Sequence, residues 1–167
     1  LFKIKTDLDL SNIKNGSSIC CDGVCLTAFD LFKDKDNNYF SVNVSEETLK
    51  KSNIINWQLN YKINLEKSLR VGDEIAGHFV YGHVDVKTIL LNIIMLKNSW
   101  EFEFEIPFID SNPNIKKLIV EKGSIAINGI SLTIAKITKK SFIVSIIPHT
   151  YLNTNLSFLN VQENVEF

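Results

Sequence analysis

The chain has little arginine, proline, methionine or glycine, and no long apolar run. Of 18 basic residues only Arg70 is arginine, and the 167 residues include three prolines, one methionine and seven glycines. Isoleucine, asparagine and lysine are abundant instead, a bias that reflects an AT-rich coding genome rather than a function. A net charge of −1 with 22% charged residues gives no basic surface of the kind nucleic acid or an acidic membrane attracts. The longest apolar run, Ile89 to Leu96, is broken by Asn92 and is far too short to span a bilayer. No signal peptide is visible. The three cysteines, Cys20, Cys21 and Cys25, are odd in number and make no C-x-x-C. No second cysteine pair or histidine cluster stands at ligand spacing, so no metal site is expected and the thiols read as reduced in a cytoplasmic protein. The chain opens at Leu1 and stops at Phe167 inside a strand-like pattern, which reads as a fragment at both ends.

What the chain does have is an internal repeat. Gly16-Ser-Ser-Ile-Cys-Cys-Asp-Gly-Val-Cys-Leu-Thr27 returns as Gly123-Ser-Ile-Ala-Ile-Asn-Gly-Ile-Ser-Leu-Thr133, one residue shorter, with Thr27 and Thr133 106 residues apart. Val42 to Thr48 returns as Val144 to Thr150 at an offset of 102, so the first copy needs the longer hairpin loop, set at Lys33 to Asn38. Asn64-Leu65-Glu66 matches Asn164-Val165-Glu166 at an offset of 100. Three blocks in one order make the chain a tandem duplication.

Each copy reads as strands. Trp100 to Ile106 alternates apolar and acidic residues without a fault, the pattern of a half-buried strand. Tyr39 to Val44 and Phe142 to Ile147 are rich in strand formers, and Lys139-Lys140 marks a tight turn. Helical material is short: Pro113 to Val120 has Pro near its start and Ile115, Leu118 and Ile119 on one side. Short strands in units of this size predict two small closed barrels with a boundary near Ala76-Gly77.

Within Cys25-Leu26-Thr27 and Ser131-Leu132-Thr133, residues two apart share a face. Cys25 and Thr27, like Ser131 and Thr133, should therefore line a polar face, while Leu26 and Leu132 turn to the core. Gly23 and Gly129, just ahead, allow a backbone or a ligand to come close. One such strand is equally well an ordinary solvated face; its recurrence favours a ligand surface. The stretches Asn43 to Thr48 and Ser145 to Thr150 leave strands with free backbone groups for a heterocycle edge, or are strand exits into capped helical turns. In Gly77-His-Phe-Val-Tyr-Gly-His83 the two histidines are five apart, which does not suit a shared metal; one of them is suited to proton transfer, or each is a structural histidine with its hydrogen bonds satisfied.

Taken together, the duplicated G-S-to-L-T blocks, the Gly77 to His83 segment and the Ile146-Ile-Pro-His-Thr150 turn resemble the riboflavin synthases over essentially the whole chain. The resemblance implies an all-β fold: a tandem duplication of a small six-stranded antiparallel Greek-key barrel with short helical turns only. Residues 1–76 would form the first lumazine-binding barrel without its N-terminal strand, and 77–167 the second without its C-terminal helix. The activity implied is a dismutation of two 6,7-dimethyl-8-ribityllumazine molecules by four-carbon transfer, with neither metal nor cofactor. The first site would take Ser18, Cys25, Leu26, Thr27 and the stretch Asn43, Val44, Ser45, Glu46, Glu47 and Thr48. The second would take His78, Gly82, His83, Val84, Lys122, Ser131, Leu132, Thr133 and the stretch Ser145, Ile146, Ile147, Pro148, His149 and Thr150. His83 would shuttle protons, Ser131 and Thr133 would polarise the substrate, and Cys25 would be a polar contact or transient nucleophile. A homotrimer and an association with lumazine synthase are also implied. A non-catalytic lumazine-binding homologue would be expected to lose one of the two polar pairs, and both are intact. A small-barrel nucleic-acid binder would need a basic groove with aromatics, where this chain has Glu101, Glu103 and Glu105.

Overall fold

The computed structural model describes residues 1–34, 37–107 and 114–167. Two curled antiparallel sheets follow one another along the chain. The first comprises β1 (Phe2–Thr6), β2 (Ser18–Cys21), β3 (Val24–Asp34), β4 (Asn37–Val42) and β5 (Leu65–Lys67), in the order β1-β4-β3-β2-β5. The second comprises β6 (Lys87–Met95), β7 (Trp100–Glu105), β8 (Ser124–Ile127), β9 (Ile130–Ile137), β10 (Ser141–Ile146) and β11 (Asn164–Glu166), in the order β11-β6-β7-β10-β9-β8. Strands β8, β9 and β10 are joined by hairpins and β7 lies beside β10, a Greek-key arrangement. The Asn128 N–H donates to Glu166 O at 3.0 Å and brings β8 back to β11, which closes the curl. Strand β6 has no counterpart among the described residues of the first half.

Helical pieces are short, as expected: α1 (Glu46–Lys51), α2 (Ile115–Leu118) and α3 (Pro148–Asn153), with single 3-10 turns at Asn53–Asn56 and Asn155–Phe158. Tyr151 of α3 stacks on Trp100 of β7 with ring centroids 4.0 Å apart, which pins α3 across the barrel end. Pro113, expected at the start of the α2 region, lies outside the described residues. Ile115 and Ile119 are buried, but Leu118, expected on the same side, is 71% exposed. In so short a helix only the i, i+4 pair reaches the core, and Leu118 is turned into a surface cleft. Asp34 and Asn37 pair across the first hairpin, whose residues 35 and 36 are outside the description. With 11 residues in β3 and eight in β9, the first hairpin is the longer arm, as the drift in offset requires.

Backbone bonds refine the repeat in two places. Gly16 N–H donates to Ala28 O, and Lys122 N–H donates to Ile134 O, each at 2.8 Å. Gly16 is thus equivalent to Lys122, both left-handed with φ of 92° and 65°, and no residue is missing from the second copy. Similarly, Asn64 O accepts from Asp22 N–H as Glu166 O does from Asn128 N–H. Asn64 is therefore the partner of Glu166, not of Asn164, and this block keeps the offset of 102.

Both β2–β3 and β8–β9 turn on two residues with positive φ, Asp22-Gly23 and Asn128-Gly129, the Asp-Gly and Asn-Gly chemistry of type I′ hairpins. The two turns meet. A Cβ on Gly23 would stand 2.8 Å from Gly129 N, and one on Gly129 would stand 2.7 Å from Gly23 N. This is the close backbone approach for which the sequence reserved glycine. Around the contact, Asn64 Nδ2 donates to Asn128 O (2.9 Å) and to Asn155 Oδ1 (2.8 Å), and Asn155 N–H donates to Asn64 Oδ1 (2.8 Å). Asn155 Nδ2 donates to Asp22 Oδ1 at 3.0 Å, and Asn53 N–H donates to Glu166 Oε2 at 2.8 Å. Among the described residues no buried side-chain polar atom is left without a partner.

Each half has its own core. Ile4, Ile19, Leu26, Phe40 and Val42 fill the first, and Phe102, Phe104, Ile127, Leu132, Phe142 and Val144 the second. Leu26 and Leu132 are 5% and 8% exposed while Cys25, Thr27, Ser131 and Thr133 are on the outside, so the strand alternation is in the expected register. Leu132→Ala should therefore cost roughly 2–5 kcal/mol, whereas Thr133→Ala should stay within about 0.5 kcal/mol. Urea denaturation of both variants checks this; equal stability would put the register off by one residue.

Candidate functional site

Directly opposed residues of an antiparallel pair share a face, so the two tight hairpins decide which side chains stand together. In the first, Ser18 faces Thr27 and Cys20 faces Cys25; in the second, Ser124 faces Thr133 and Ala126 faces Ser131. Each hairpin thus turns outward a patch of four small side chains, all but Ala126 able to hydrogen-bond or ionise. Sequence reasoning named five of these eight and missed Cys20, Ser124 and Ala126. Reading Asp22-Gly23 and Asn128-Gly129 as two-residue turns would have supplied them.

The segment from Gly77 to Val84 runs between the two patches. His78 Nδ1 and Ser131 Oγ share a hydrogen bond of 2.7 Å. Further on, Cys25 N–H donates to Gly82 O at 2.8 Å, and a side chain on Gly82 would come within 2.6 Å of Cys25 Cβ. Gly82, bent at φ 75°, packs on Cys25, and Val84 partly covers the core of the first barrel. His83, between them, is exposed. Gly82 and Val84, expected in the site of the second barrel, are thus in contact with the first, because the segment crosses before β6 begins.

Two clefts result. The larger, about 960 Å³, holds Cys25 and Ser131 together with Ser18, Cys20, His78 and His149. The smaller, about 440 Å³, lies over the second patch and has His83, Asp85, Ser124 and Ala126 in its wall. Cys25 and Ser131, expected in separate sites, therefore open onto one space, and His83 onto the next. Thr27 and Thr133 stand on the same faces one pair further along, outside both walls.

Other expected positions fall elsewhere. Asn43 to Thr48 is a strand exit into a capped helix: Ser45 Oγ accepts from Thr48 N–H at 3.1 Å, and none of Asn43, Val44, Ser45, Glu46, Glu47 or Thr48 is in a cleft wall. In the second copy Pro148 opens α3, Ser145, Ile147 and Pro148 are exposed, Thr150 is half-buried, and His149 reaches the larger cleft. Lys122 is exposed at its left-handed turn. Leu26, Leu132 and Ile146 point into the cores, so a ligand could meet only their backbone. Among the described residues there is no cluster of three or more His, Cys, Asp or Glu that could hold a metal, and no helix is long and apolar enough to cross a membrane.

Comparison with known proteins bears on this geometry. A lumazine binding domain matches the chain twice, over residues 1–68 and 81–167. The chain is 37% identical to the riboflavin synthase of Brucella abortus (strain 2308) over 151 residues, covering 90% of this chain and 72% of that protein. It is 44% identical to the riboflavin synthase of Chlamydia muridarum (strain MoPn / Nigg) over 151 residues, covering 90% and 69%. Among solved structures, LumP complexed with riboflavin has the same fold, with a TM-score of 0.79 at 18% identity over 98% of this chain and 85% of that one.

Two carboxyls are buried where the halves meet. Burial raises Asp22 from 3.8 to about 8, against the lowering effect of the Asn64 N–H bond. Burial also raises Glu166 from 4.5 to about 7, opposed by the Asn53 N–H and by Lys87. A carboxyl that holds its proton more tightly when folded stabilises the fold fully below its unfolded pKa and loses that contribution as pH rises through its folded pKa. Stability should therefore fall between about pH 4 and about pH 8. Asp22→Asn, the residue found at the equivalent position 128, keeps the accepting oxygen and should flatten the upper part of that fall. Urea midpoints across this range, for wild type and variant, give the check; parallel profiles would rule Asp22 out as the source.

Proposed function

The chain belongs to the riboflavin synthase family, and from that premise we propose that it takes two molecules of 6,7-dimethyl-8-ribityllumazine to riboflavin and 5-amino-6-ribitylamino-pyrimidinedione. It is a transferase: one lumazine gives a four-carbon unit to the other, and the donor leaves as the pyrimidine. The observation that carries this reading is the duplicated polar patch, built from the same hairpin in each half. Two identical substrates suit two matched surfaces. Holding them at fixed positions converts a bimolecular encounter into an effectively intramolecular one, worth up to roughly 7–11 kcal/mol of barrier when alignment is good.

In this reading residues 1–76 and 77–167 are the two lumazine-binding barrels. Ser131 and Thr133 donate hydrogen bonds to one lumazine, and His83 carries protons to and from its 7-methyl group. That methyl is acidified by delocalisation into the ring, so a histidine near neutral pH is base enough. Cys25 and Thr27 serve the other lumazine, with Cys25 as polar contact or transient nucleophile. Neither metal nor cofactor is required by this chemistry. The reading extends to a cytoplasmic homotrimer that associates with lumazine synthase as the source of its substrate.

The protein mixed with the ribityl-lumazine alone should yield one riboflavin for every two lumazines consumed, with a chelator making no difference. Ligand binding without riboflavin would favour a binding protein instead. Ser131→Ala should reduce turnover by about tenfold or more, on the order of 1.4 kcal/mol, with thermal stability almost unchanged. Undiminished turnover in that variant would withdraw Ser131 from the site.

A further inference from the structure

We propose that Cys20 and Cys25 form a reversible cross-strand disulfide that shuts down the polar patch of the first barrel. Cys25 has a role in the reaction proposed above; Cys20 has none. The two are directly opposed in the β2–β3 hairpin. Because the turn is the two residues Asp22-Gly23, both with positive φ, the flanking pair Cys21 and Val24 exchanges the ladder bonds. Cys20 and Cys25, one step outward, are then a non-hydrogen-bonded pair. The Cys25 N–H agrees with this, since it points away from β2 to Gly82 O. In such a pair the Cα atoms stand about 4.5 Å apart, inside the roughly 4.4–6.8 Å that a disulfide spans. Both side chains leave the sheet on one face, and both are in the wall of the larger cleft. Cys21 is fully buried on the opposite face and cannot take part.

The oxidant is a low-molecular-weight disulfide. The Cys25 thiolate attacks one of its sulfurs, a mixed disulfide forms, and the first small thiolate leaves. Cys20 gives up its proton and attacks Cys25 Sγ; the Cys20–Cys25 bond forms and the second small thiolate leaves. The cysteine pair is oxidised by two electrons, the small disulfide is reduced to two thiols, and the two cysteine protons end on them. Burial lifts the Cys20 thiol to about 11, so the second step is the slow one and the mixed disulfide has a lifetime. A disulfide at a cleft surface, closed at the short end of the allowed span, is of the readily reduced kind.

The effect on turnover rests on the proposed role of Cys25; the crosslink does not. The test is to treat the whole chain with oxidised glutathione, map its peptides without reduction, and measure riboflavin formation in parallel. The expected product has lost two hydrogens, links Cys20 to Cys25 and leaves Cys21 free. Its turnover should be down by about tenfold or more and restored by dithiothreitol. Cys20→Ser should stop at a glutathione adduct on Cys25. Wild type that ends as a stable adduct with Cys20 free, or with all thiols unchanged, overturns the crosslink and leaves the proposed activity standing. A crosslinked chain with full turnover overturns the switch and the role of Cys25 together. Reduced protein that makes no riboflavin overturns the activity alone.

Discussion

The two halves of the chain touch at a point where neither can carry a side chain. Gly23 and Gly129 bring backbone to backbone, and a Cβ on either would fall within 2.8 Å of the other's amide nitrogen. Polar groups surround that contact: Asn64, Asn128, Asn155 and Asp22 share bonds from one barrel to the other, and Asn53 reaches Glu166. Each bond is modest, but a buried polar atom left unpaired costs about 1–3 kcal/mol. The barrels therefore have one arrangement in which all these groups are satisfied, and moving one barrel would orphan several at once.

That constraint reaches the chemistry through the hairpins. The glycines in contact are the turn residues of β2–β3 and β8–β9, and the polar patches begin two residues beyond them, at Cys25 and Ser131. Locking the turns together fixes the distance between the patches, and the Gly77 to Val84 segment fills the space between them with His78 on Ser131 and Gly82 on Cys25. A reaction between two copies of one molecule depends on such a fixed spacing more than on any strong acid or base.

Much of this was legible in the sequence because it is periodic or duplicated. The alternation through Cys25-Leu26-Thr27 and Ser131-Leu132-Thr133 separated core from surface correctly, since a strand's period of two leaves no choice once the leucines are buried. Matching identical letters misled where geometry sets the correspondence. Asn64 matches Asn164 in letters, but the seam asks for a side-chain acceptor and a backbone carbonyl, which Glu166 provides as well as an asparagine. Gly16 matches Gly123 in letters, although the left-handed position of the second copy is occupied by Lys122. The placement of Gly82 and Val84 against the first barrel had no sequence signal at all, because it depends on where the connecting segment crosses. Leu118 shares a helical stripe with Ile115 and Ile119 in the sequence yet is exposed, because a stripe has meaning only over more turns than α2 possesses.

The central claim, that the seam sets the spacing of two otherwise independent patches, is tested most directly by the ratio of turnover to binding in Asn155→Ala. Asn155 is buried, and among the described residues its side chain bonds only across the seam, to Asn64 and Asp22. Lumazine titration and riboflavin formation, measured on the same folded sample, should show binding close to wild type and turnover lower by about tenfold or more. Turnover equal to wild type, with the side-chain bonds across the seam removed, would contradict the account.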